Sequence, residues 1–168
     1  MPRTLLIVRH GKSRWDEVGV VDHDRKLTKR GKRDARRIGK ELAARDLVPD
    51  IILTSTAKRA RGTARRLAKA WDLKDDIYEE PLLYGDSNDV DAHLGLLATL
   101  GGEVETAVLI GHLPVLEDLV TTLTGEYVSM ATANVACVVL PIDDWHQLVT
   151  ERPRGRLRFV LSPKDLTD

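Results

Sequence analysis

The chain has 168 residues, of which 42% are hydrophobic and 31% are charged. This length and this apolar content predict one domain, residues 1–168, with a sizeable core. Lysine plus arginine and aspartate plus glutamate each number 26, so the net charge is zero and gives no overall attraction to nucleic acid or to an anionic membrane.

The apolar runs and the single cysteine limit the classes of protein further. Cys137 lies inside an apolar run, where a buried thiol is expected, and one cysteine cannot form a disulfide within the chain. No run approaches the ~20 apolar residues of a membrane span, and the run at 5–8 is too short for a signal peptide. We therefore expect a cytoplasmic protein that does not bind membranes.

The first predicted element is the apolar run at 5–8, which stops abruptly at Arg9, His10 and Gly11. Four consecutive branched aliphatic residues indicate a strand buried on both faces, and such parallel sheets bind ligands at the carboxyl ends of their strands. Gly11 lets the chain turn there with little steric cost. An arginine fork can hold a dianion, and a neutral imidazole is a competent nucleophile near pH 7.

Residues 12–26 are mostly polar and show no period, which predicts a loop over the end of this strand. Asp22, His23 and Asp24 fall within that loop and could suggest a metal site. Adjacent residues rarely converge on one ion, however, and the sequence shows no second cluster of ligands. We therefore expect no metal.

A helix is predicted next, because Thr28 is a suitable N-cap and apolar residues then recur at three-and-four spacing up to about Arg45. The lysines and arginines between them could form a nucleic-acid-binding face. No aromatic residues are interleaved with them, so a solvated helix surface is preferred and no nucleic-acid partner is expected.

A second strand, at 51–53, runs into three hydroxyl residues and then into a helix that continues to Trp71. The hydroxyl groups at 54–56 can cap this helix, and the free amides at its start favour an anion. Arg59 lies in the first turn and is therefore well placed to meet a phosphate.

The remaining chain predicts four strands and two helices, in the order strand 77–78, helix 88–100, strand 106–110, a helix ending at Gly125, strand 135–140 and strand 157–161. His93, on the first of these helices, is expected to be an exposed or capping side chain. His112 follows the strand at 106–110, so that a second imidazole lies at a strand end. Pro114 falls near the first turn of the helix that follows.

Strands that alternate with helices predict an α/β fold, a three-layer α/β/α sandwich with a mostly parallel central sheet. The carboxyl ends of parallel strands lie at one edge of their sheet. This geometry could therefore bring Arg9, His10, Arg59 and His112 together.

Three segments resemble the signatures of the histidine phosphatase superfamily, which has a phosphoglycerate mutase-like fold. They are Arg9-His10-Gly11 after a strand, residues 55–64 with Arg59, and Gly111-His112 after a later strand. The stretches 12–15 (Lys-Ser-Arg-Trp) and 24–31 (Asp-Arg-Lys-Leu-Thr-Lys-Arg-Gly) are similar to the SixA-like phosphohistidine phosphatase branch. The resemblance covers nearly the whole chain.

The resemblance implies a role for each matching residue. His10 would be the nucleophile, transiently phosphorylated on a ring nitrogen, while Arg9, Arg59 and an imidazolium at His112 would surround the phosphoryl oxygens. Two guanidinium forks and an imidazolium can neutralise the charge of a transferring phosphoryl group without a metal or another cofactor.

The sequence departs from the family pattern at three positions. Arg25 is a further candidate for the pocket, although the family often has Arg-Pro where this chain has Arg25-Lys26. Many members use a glutamate as general acid, and Glu80 is the nearest candidate, but its spacing resembles the branch in which no dedicated acid is evident. Leu113 stands where close relatives often carry asparagine.

Three functions stay open from the sequence. The leading one is a phosphatase for phosphohistidine in a protein, such as a histidine phosphotransfer domain; the others are a phosphatase or mutase for a small phosphorylated metabolite and a phosphate-binding module without turnover. The predicted connections are short, so we expect no lid. A pocket mouth formed by residues 12–25, residues 84–88 and Leu113 would stay open, which favours a protein substrate.

Overall fold

The computed structural model describes residues 1–84 and 89–167. Strands and α-helices follow one another within these ranges as β1 (Arg3–Arg9), α1 (Lys29–Ala44), β2 (Ile51–Thr54), α2 (Lys58–Trp71), β3 (Ile77–Glu79), α3 (Val90–Leu97), β4 (Thr106–Gly111), α4 (Val115–Thr124), β5 (Val135–Leu140), α5 (Gln147–Thr150) and β6 (Arg156–Leu161). Short 3-10 helices lie at Asp22–Asp24, Lys74–Asp76, Pro81–Leu83 and Pro163–Asp165. The helix predicted over 88–100 is shorter than expected, and its predicted start at Asn88 lies outside the described residues.

The strands of the described chain form a six-stranded sheet in the order β3-β2-β4-β1-β5-β6. Strands β3, β2, β4 and β1 are parallel, whereas β5 pairs antiparallel with β1 and β6 pairs antiparallel with β5. The register places Arg9, at the end of β1, beside Gly111, at the end of β4. The residues that follow these two, His10 and His112, therefore leave the sheet side by side.

The central strand β1 is buried on both faces, as its apolar run predicts. Leu5 and Ile7 pack into one apolar core with residues of α3 and α4, and Leu6 and Val8 pack into a second core with residues of α1 and α2. These four side chains are at most 1% exposed. Helices thus cover both faces of the sheet, and the predicted α/β fold with a mostly parallel sheet is confirmed.

Gly11 serves a close backbone contact rather than an unusual turn. A Cβ atom built on Gly11 would lie 2.8 Å from the carbonyl oxygen of Gly31, and one built on Gly31 would overlap the carbonyl oxygen of Lys12. Such distances are shorter than any ordinary van der Waals contact. The two glycines therefore let the start of α1 pack directly against the chain that leaves β1.

The ends of the helices agree with the sequence in part. Thr28 caps α1 as predicted, since its side chain accepts a hydrogen bond from the Gly31 amide. The expected hydroxyl cap of α2 is wrong: Ala57 is the N-cap residue, and the Ser55 hydroxyl accepts from the Ala57 amide instead. None of the helices in the described ranges has the length and hydropathy needed to cross a membrane.

The predictions for Cys137 and His93, both of which lie away from the carboxyl edge of the sheet, have different outcomes. Cys137 is buried and free, as predicted. His93 was expected to be exposed or capping, but it is fully buried, and its Nδ1 lies 3.0 Å from the carbonyl oxygen of Asp89. The helical face that carries His93 turns toward the core because Leu94 and Leu97 beside it are core residues.

Candidate active site

One cavity of about 400 Å³ lies at the carboxyl edge of the parallel strands. Arg9 ends β1 and His10 follows it, His112 follows β4, and Arg59 lies in the first turn of α2, after β2. Arg25 lines the same cavity from the loop before α1. Because β2, β4 and β1 are neighbours in the sheet, their ends bring the two imidazoles and the guanidinium groups of Arg9 and Arg59 to one place. Lys12 and Arg30 complete the cationic lining of the cavity.

His10 is held as one neutral tautomer. Its side chain is buried, and its Nδ1 lies 2.7 Å from the carbonyl oxygen of Gly11. A carbonyl can only accept, so Nδ1 carries the hydrogen and Nε2 carries the lone pair. Burial lowers the pKa of His10 to about 3; the Gly11 hydrogen bond opposes this, and the charges of His112, Arg59 and Arg9 lower it further. His10 is therefore neutral at pH 7, the nucleophilic state of an imidazole.

The backbone around His10 is bonded from two sides. The His10 amide donates to the carbonyl of Gly111 at 3.3 Å, and the Arg9 amide donates to the carbonyl of Asn134 at 3.1 Å. The Ala133 amide lies 3.0 Å from the carbonyl oxygens of both Arg9 and His10. Ala133 has a φ of 61°, a left-handed conformation that residues other than glycine seldom adopt. Strands β4 and β5 thus fix the peptide units that carry His10.

His112 faces His10, with 5.1 Å between the ring centroids. Its Nε2 lies 2.8 Å from the Ser55 hydroxyl oxygen, which already accepts from the Ala57 amide. The hydroxyl hydrogen can therefore go to Nε2, which puts the His112 hydrogen on Nδ1. Burial lowers the pKa of His112 to about 4, and the charge of Arg59 lowers it further. The expected imidazolium is thus a neutral ring at pH 7 in this structure.

Both arginines that the family resemblance assigns to the phosphate are largely enclosed by protein. Arg9 Nη1 donates to the carbonyl oxygen of Met130 at 3.0 Å, and burial lowers the pKa of Arg9, partly opposed by Glu117. The buried Nε atoms of Arg9 and Arg59 have no hydrogen-bond partner among the described residues. Both guanidinium groups therefore keep hydrogen-bond donors that their protein contacts do not use.

Asp22 joins two of the cationic side chains. Arg59 donates from Nη1 to the Asp22 carbonyl at 2.8 Å and from Nη2 to Asp22 Oδ2 at 3.0 Å. Arg25 Nη1 donates to Asp22 Oδ1 at 2.9 Å, and the Tyr84 hydroxyl donates to Oδ2 at 2.9 Å. Burial tends to raise the pKa of Asp22, but these hydrogen bonds and the charges of both arginines hold the pKa below its usual range. The carboxylate therefore stays ionised and orients both guanidinium groups.

Arg25 is fixed by its own loop as well as by Asp22. Its Nε donates to the carbonyl oxygen of Arg14 at 3.1 Å, and its Nη2 contacts the Ser13 hydroxyl. The guanidinium carbon lies 3.3 Å from the ring centroid of Trp15, a stacked cation–π contact. Trp15 is itself 80% exposed and lines the cavity, so an aromatic face borders its mouth.

Glu80 is not brought to the cavity. It precedes the 3-10 helix Pro81–Leu83, and its amide donates to the Thr54 carbonyl at the end of β2. Among the described residues, no carboxylate side chain lines the cavity. The geometry thus does not support Glu80 as the general acid. It does support Arg25 as a residue of the pocket.

Sequence reasoning missed two residues that organise the site. The sequence suggests Asp22 only as a metal ligand, and in the described ranges no group of three or more metal-ligating side chains occurs. Its position three residues before Arg25 was the available signal, since such spacing allows an ion pair. Ser55 was interpreted as a helix cap, and no pattern in the sequence links it to His112.

The structure covers most of the pocket mouth that the sequence predicts at residues 12–25, residues 84–88 and Leu113. Trp15, Arg25 and Leu113 line the cavity as expected. The Tyr84 ring packs edge-on against His112, with centroids 5.6 Å apart. The rest of the predicted rim segment, residues 85–88, lies outside the described residues.

Comparison with known proteins agrees with this geometry. The family model described as the histidine phosphatase superfamily (branch 1) matches residues 5–83. The structure of the protein histidine phosphatase SixA complexed with tungstate is 28% identical, with a TM-score of 0.82 over 98% of this chain and 99% of that one. A protein from Agrobacterium tumefaciens named for the phosphohistidine phosphatase SixA is 29% identical, with a TM-score of 0.79 over 97% of this chain and 100% of that one.

A second group of relatives matches a shorter segment. The 2,3-bisphosphoglycerate-dependent phosphoglycerate mutase of Bartonella henselae is 34% identical over 93 residues, which are 51% of this chain and 45% of the mutase. This chain thus spans less than half of that enzyme, whereas it spans nearly the full length of the SixA structures. The matching family model, the fold and these structural neighbours thus all relate the chain to the histidine phosphatase superfamily, and over nearly its full length it is similar in structure to proteins of the SixA-like branch.

Proposed function

We propose that this protein is a phosphatase that removes phosphoryl groups from histidine side chains of a protein, through a phosphohistidine formed on His10. The observation that carries the proposal is the state of His10: it is neutral, its Nδ1 is bonded to the Gly11 carbonyl, and its Nε2 has no hydrogen-bond partner among the described residues. His10 shares its cavity with the guanidinium groups. A nucleophile and its charge-stabilising groups then lie in one cavity.

The first step is transfer of the phosphoryl group to the enzyme. The guanidinium groups of Arg9, Arg25 and Arg59 bind the phosphoryl oxygens, and His10 Nε2 attacks phosphorus in line with the leaving nitrogen. A new P–N bond forms on His10 as the substrate P–N bond breaks, and its electron pair stays on the leaving imidazole, which is protonated. With both imidazoles neutral, the positive charge that faces the phosphoryl dianion comes from the arginines and the lysine of the cavity lining.

In the second step, water attacks the phosphorus of the enzyme intermediate. The P–N bond to His10 breaks, inorganic phosphate leaves, and His10 regains its lone pair on Nε2. His112 donates a hydrogen bond to the phosphoryl oxygens, and a bound dianion raises the pKa of His112 toward the imidazolium form.

The cavity lining favours a phosphoramidate over an alkyl ester. An alkoxide leaving group needs a general acid, whereas the nitrogen of phosphohistidine can be protonated before the bond breaks. No carboxylate lines the cavity in the described part of the chain, and Glu80 lies elsewhere. The cationic side chains of the lining supply the positive charge of the reaction, so we propose that it needs neither metal nor cofactor.

The experiment that tests the proposal combines a His10→Ala variant with chemical trapping. We expect turnover of an aryl phosphate and of a histidine-phosphorylated phosphotransfer domain to disappear, while thermal unfolding changes little, because His10 lies at a strand end. His146→Ala is the matched control, since that imidazole is exposed and remote from the cavity lining. The trapped wild-type label should be lost in acid and survive alkali; an acid-stable, alkali-labile label would assign the intermediate to serine or threonine instead.

A second candidate is a phosphatase or mutase for a small phosphorylated metabolite, supported by the 34% identity with the phosphoglycerate mutase. Specificity constants separate the two candidates. The protein proposal expects a phosphohistidine protein to exceed phosphoglycerates and sugar phosphates by at least ~10-fold, about 1.4 kcal/mol of transition-state binding. A metabolite that outperforms every phosphohistidine protein would establish the second candidate, and no hydrolysis of any phosphate would indicate a binding module.

A further inference from the structure

A second cavity, of about 360 Å³, lies beside the active site and is lined mainly by cations. Its basic side chains are Lys26, Lys32, Lys58, Arg61, Arg65 and Arg66. We call this group the basic cavity. Leu27 and Gly62 complete its described lining, so within that lining no carboxylate faces the six positive charges.

The positive charge of the basic cavity is poorly compensated. Among the described residues, its recorded ion pair joins Arg61 Nε to Glu79 Oε1 at 3.7 Å, and Glu79 is half exposed. Arg61 and Arg65 are four residues apart on α2, a spacing at which like charges repel. Burial lowers the pKa of Arg66, and the charges of Arg36 and Arg65 lower it further. An anionic partner would relieve this repulsion.

The basic cavity adjoins the active site through two pairs of consecutive residues. Arg25 lines the active-site cavity, and the next residue, Lys26, lines the basic cavity. Likewise, Arg59 lines the active-site cavity, and the preceding residue, Lys58, lines the basic cavity. Consecutive Cα atoms are about 3.8 Å apart, so the two cavities border the same two segments. A protein that presents a phosphorylated side chain to His10 is large enough to reach the basic cavity as well, whereas a small metabolite is not.

The basic cavity shares Arg61 and Arg65 with a neighbouring cavity of about 470 Å³, whose lining adds Lys69, Lys74, Ile77 and one carboxylate, Glu79. We call the two cavities together the groove; its described lining holds eight cations and this one carboxylate. A polypeptide can contact both cavities at once. In the described linings of these two cavities there is no aromatic side chain on which a nucleic-acid base could stack, and single-stranded nucleic acids are usually held by stacking as well as by charge. The groove therefore favours an acidic polypeptide.

We infer that the basic cavity is the docking site for an acidic segment of the phosphorylated protein substrate. The inference rests on the proposed function and adds to it a chemical feature of the partner: carboxylates close to the phosphorylated histidine. Docking at the basic cavity lowers KM for such a protein and leaves the chemistry at His10 unchanged.

The test uses two peptides of equal length, each with one phosphohistidine, flanked by glutamates in one peptide and by glutamines in the other. The variant carries Lys26→Gln, Lys58→Gln and Arg65→Gln together. Its matched control carries Lys40→Gln, Arg156→Gln and Lys164→Gln, three exposed cations outside the described lining of either cavity. All three proteins are assayed with both peptides and with an aryl phosphate.

We expect the wild-type protein and the control to prefer the glutamate peptide by about 10-fold in kcat/KM, the size that a few exposed ion pairs supply together. The variant should lose this preference through a rise in KM while it hydrolyses the aryl phosphate normally. Equal use of both peptides by the wild type, or an unchanged preference in the variant, would overturn the docking site and leave the proposed function standing.

Direct binding makes the docking test independent of catalysis. Fluorescence anisotropy of the labelled, unphosphorylated glutamate peptide should show binding to the wild type that weakens with salt and is lost in the variant. If neither phosphohistidine peptide is hydrolysed but the glutamate peptide binds in this way, the proposed function fails and the acidic docking site stands. Tighter binding of an oligothymidylate than of the glutamate peptide would overturn the inference in favour of a nucleic acid.

Discussion

Two groups of residues form the active site, and the chain holds them differently. The strand-end group, Arg9, His10 and His112, leaves adjacent parallel strands and is positioned by sheet register and backbone hydrogen bonds. The loop group, Trp15, Asp22 and Arg25, lies in the irregular segment before α1 and is positioned by ion pairs and stacking among side chains. The comparison indicates that the sheet fixes the position of the nucleophilic imidazole, while the loop group orients the charged side chains around it.

Arg59 connects the two groups, because it lies in the cavity with the strand-end group and bonds Asp22 of the loop group. Arg59→Ala should reduce kcat/KM for an aryl phosphate on the order of 100-fold to 1000-fold, as loss of a charge-stabilising donor typically does. Arg59→Lys should retain more of kcat/KM than Arg59→Ala but less than the wild type, since an ammonium cannot donate through a planar fork. Steady-state kinetics with a thermal-unfolding control measure this; wild-type activity in Arg59→Ala would remove the arginine from the reaction.

Asp22→Ala breaks the loop group while leaving the strand-end group in place. Arg25 and Arg59 lose a shared carboxylate, and hydrogen bonds to charged groups contribute about 1.5–3 kcal/mol, so kcat/KM should fall by roughly 10-fold to 100-fold. The loss should appear mainly in KM, because the oriented arginines bind both substrate and transition state. Asp24→Ala is the matched control, since Asp24 contacts His23 and not these arginines. Equal kinetics in both variants would show that the carboxylate does not orient the site.

The strand-end imidazoles should make the protein sensitive to mild acid. The folded-state pKa values, about 3 for His10 and about 4 for His112, lie below the usual value near 6.5. The unfolded chain therefore binds more protons below pH 6.5, and stability falls as the pH decreases from 6.5 toward these values. Between pH 7 and pH 5 each residue should cost on the order of 2 kcal/mol. Urea unfolding at both pH values should show a smaller loss in His112→Gln than in the wild type; identical losses would contradict the buried neutral state.

Trp15→Ala is the mildest change to the loop group. It removes the stacking partner of Arg25, and an exposed cation–π contact contributes about 0.5–1 kcal/mol, so the specificity constant for an aryl phosphate should fall by only about 2-fold to 5-fold. Trp15→Phe should retain most of the activity because the ring face remains. A loss as large as that of Asp22→Ala would mean that stacking, and not the carboxylate, fixes Arg25.

The two groups also differ in how far the sequence predicts them. Arg9, His10 and His112 each follow an apolar strand, and the rule that parallel strands end at one edge is enough to bring them together. The segment 12–26 has no period, so its contacts depend on side-chain geometry that a pattern cannot supply. For that reason the pattern assigns Asp22 no role in the phosphate pocket, whereas Arg25, three residues further on, is a candidate through the family resemblance.

Helical faces show the same limit. The helix around His93 is predicted, but a pattern of apolar residues does not decide whether a histidine beside them faces the core, and His93 is buried. Gly11 was assigned to a turn, whereas its small size serves a contact with Gly31, twenty positions away. Packing between distant segments is the information that local patterns lack.

The antiparallel strand β5 determines when the segment that carries His10 loses its conformational entropy. Its preceding residues, Ala133 and Asn134, complete the hydrogen bonds of the Arg9 and His10 peptide units that β4 leaves open. Conformational entropy of this segment is therefore lost once, when the sheet forms, and not again in each catalytic cycle. The strained φ of Ala133 is maintained by the same folding energy. Preorganisation of the imidazole is thus a property of the sheet, present before any phosphorylated partner arrives.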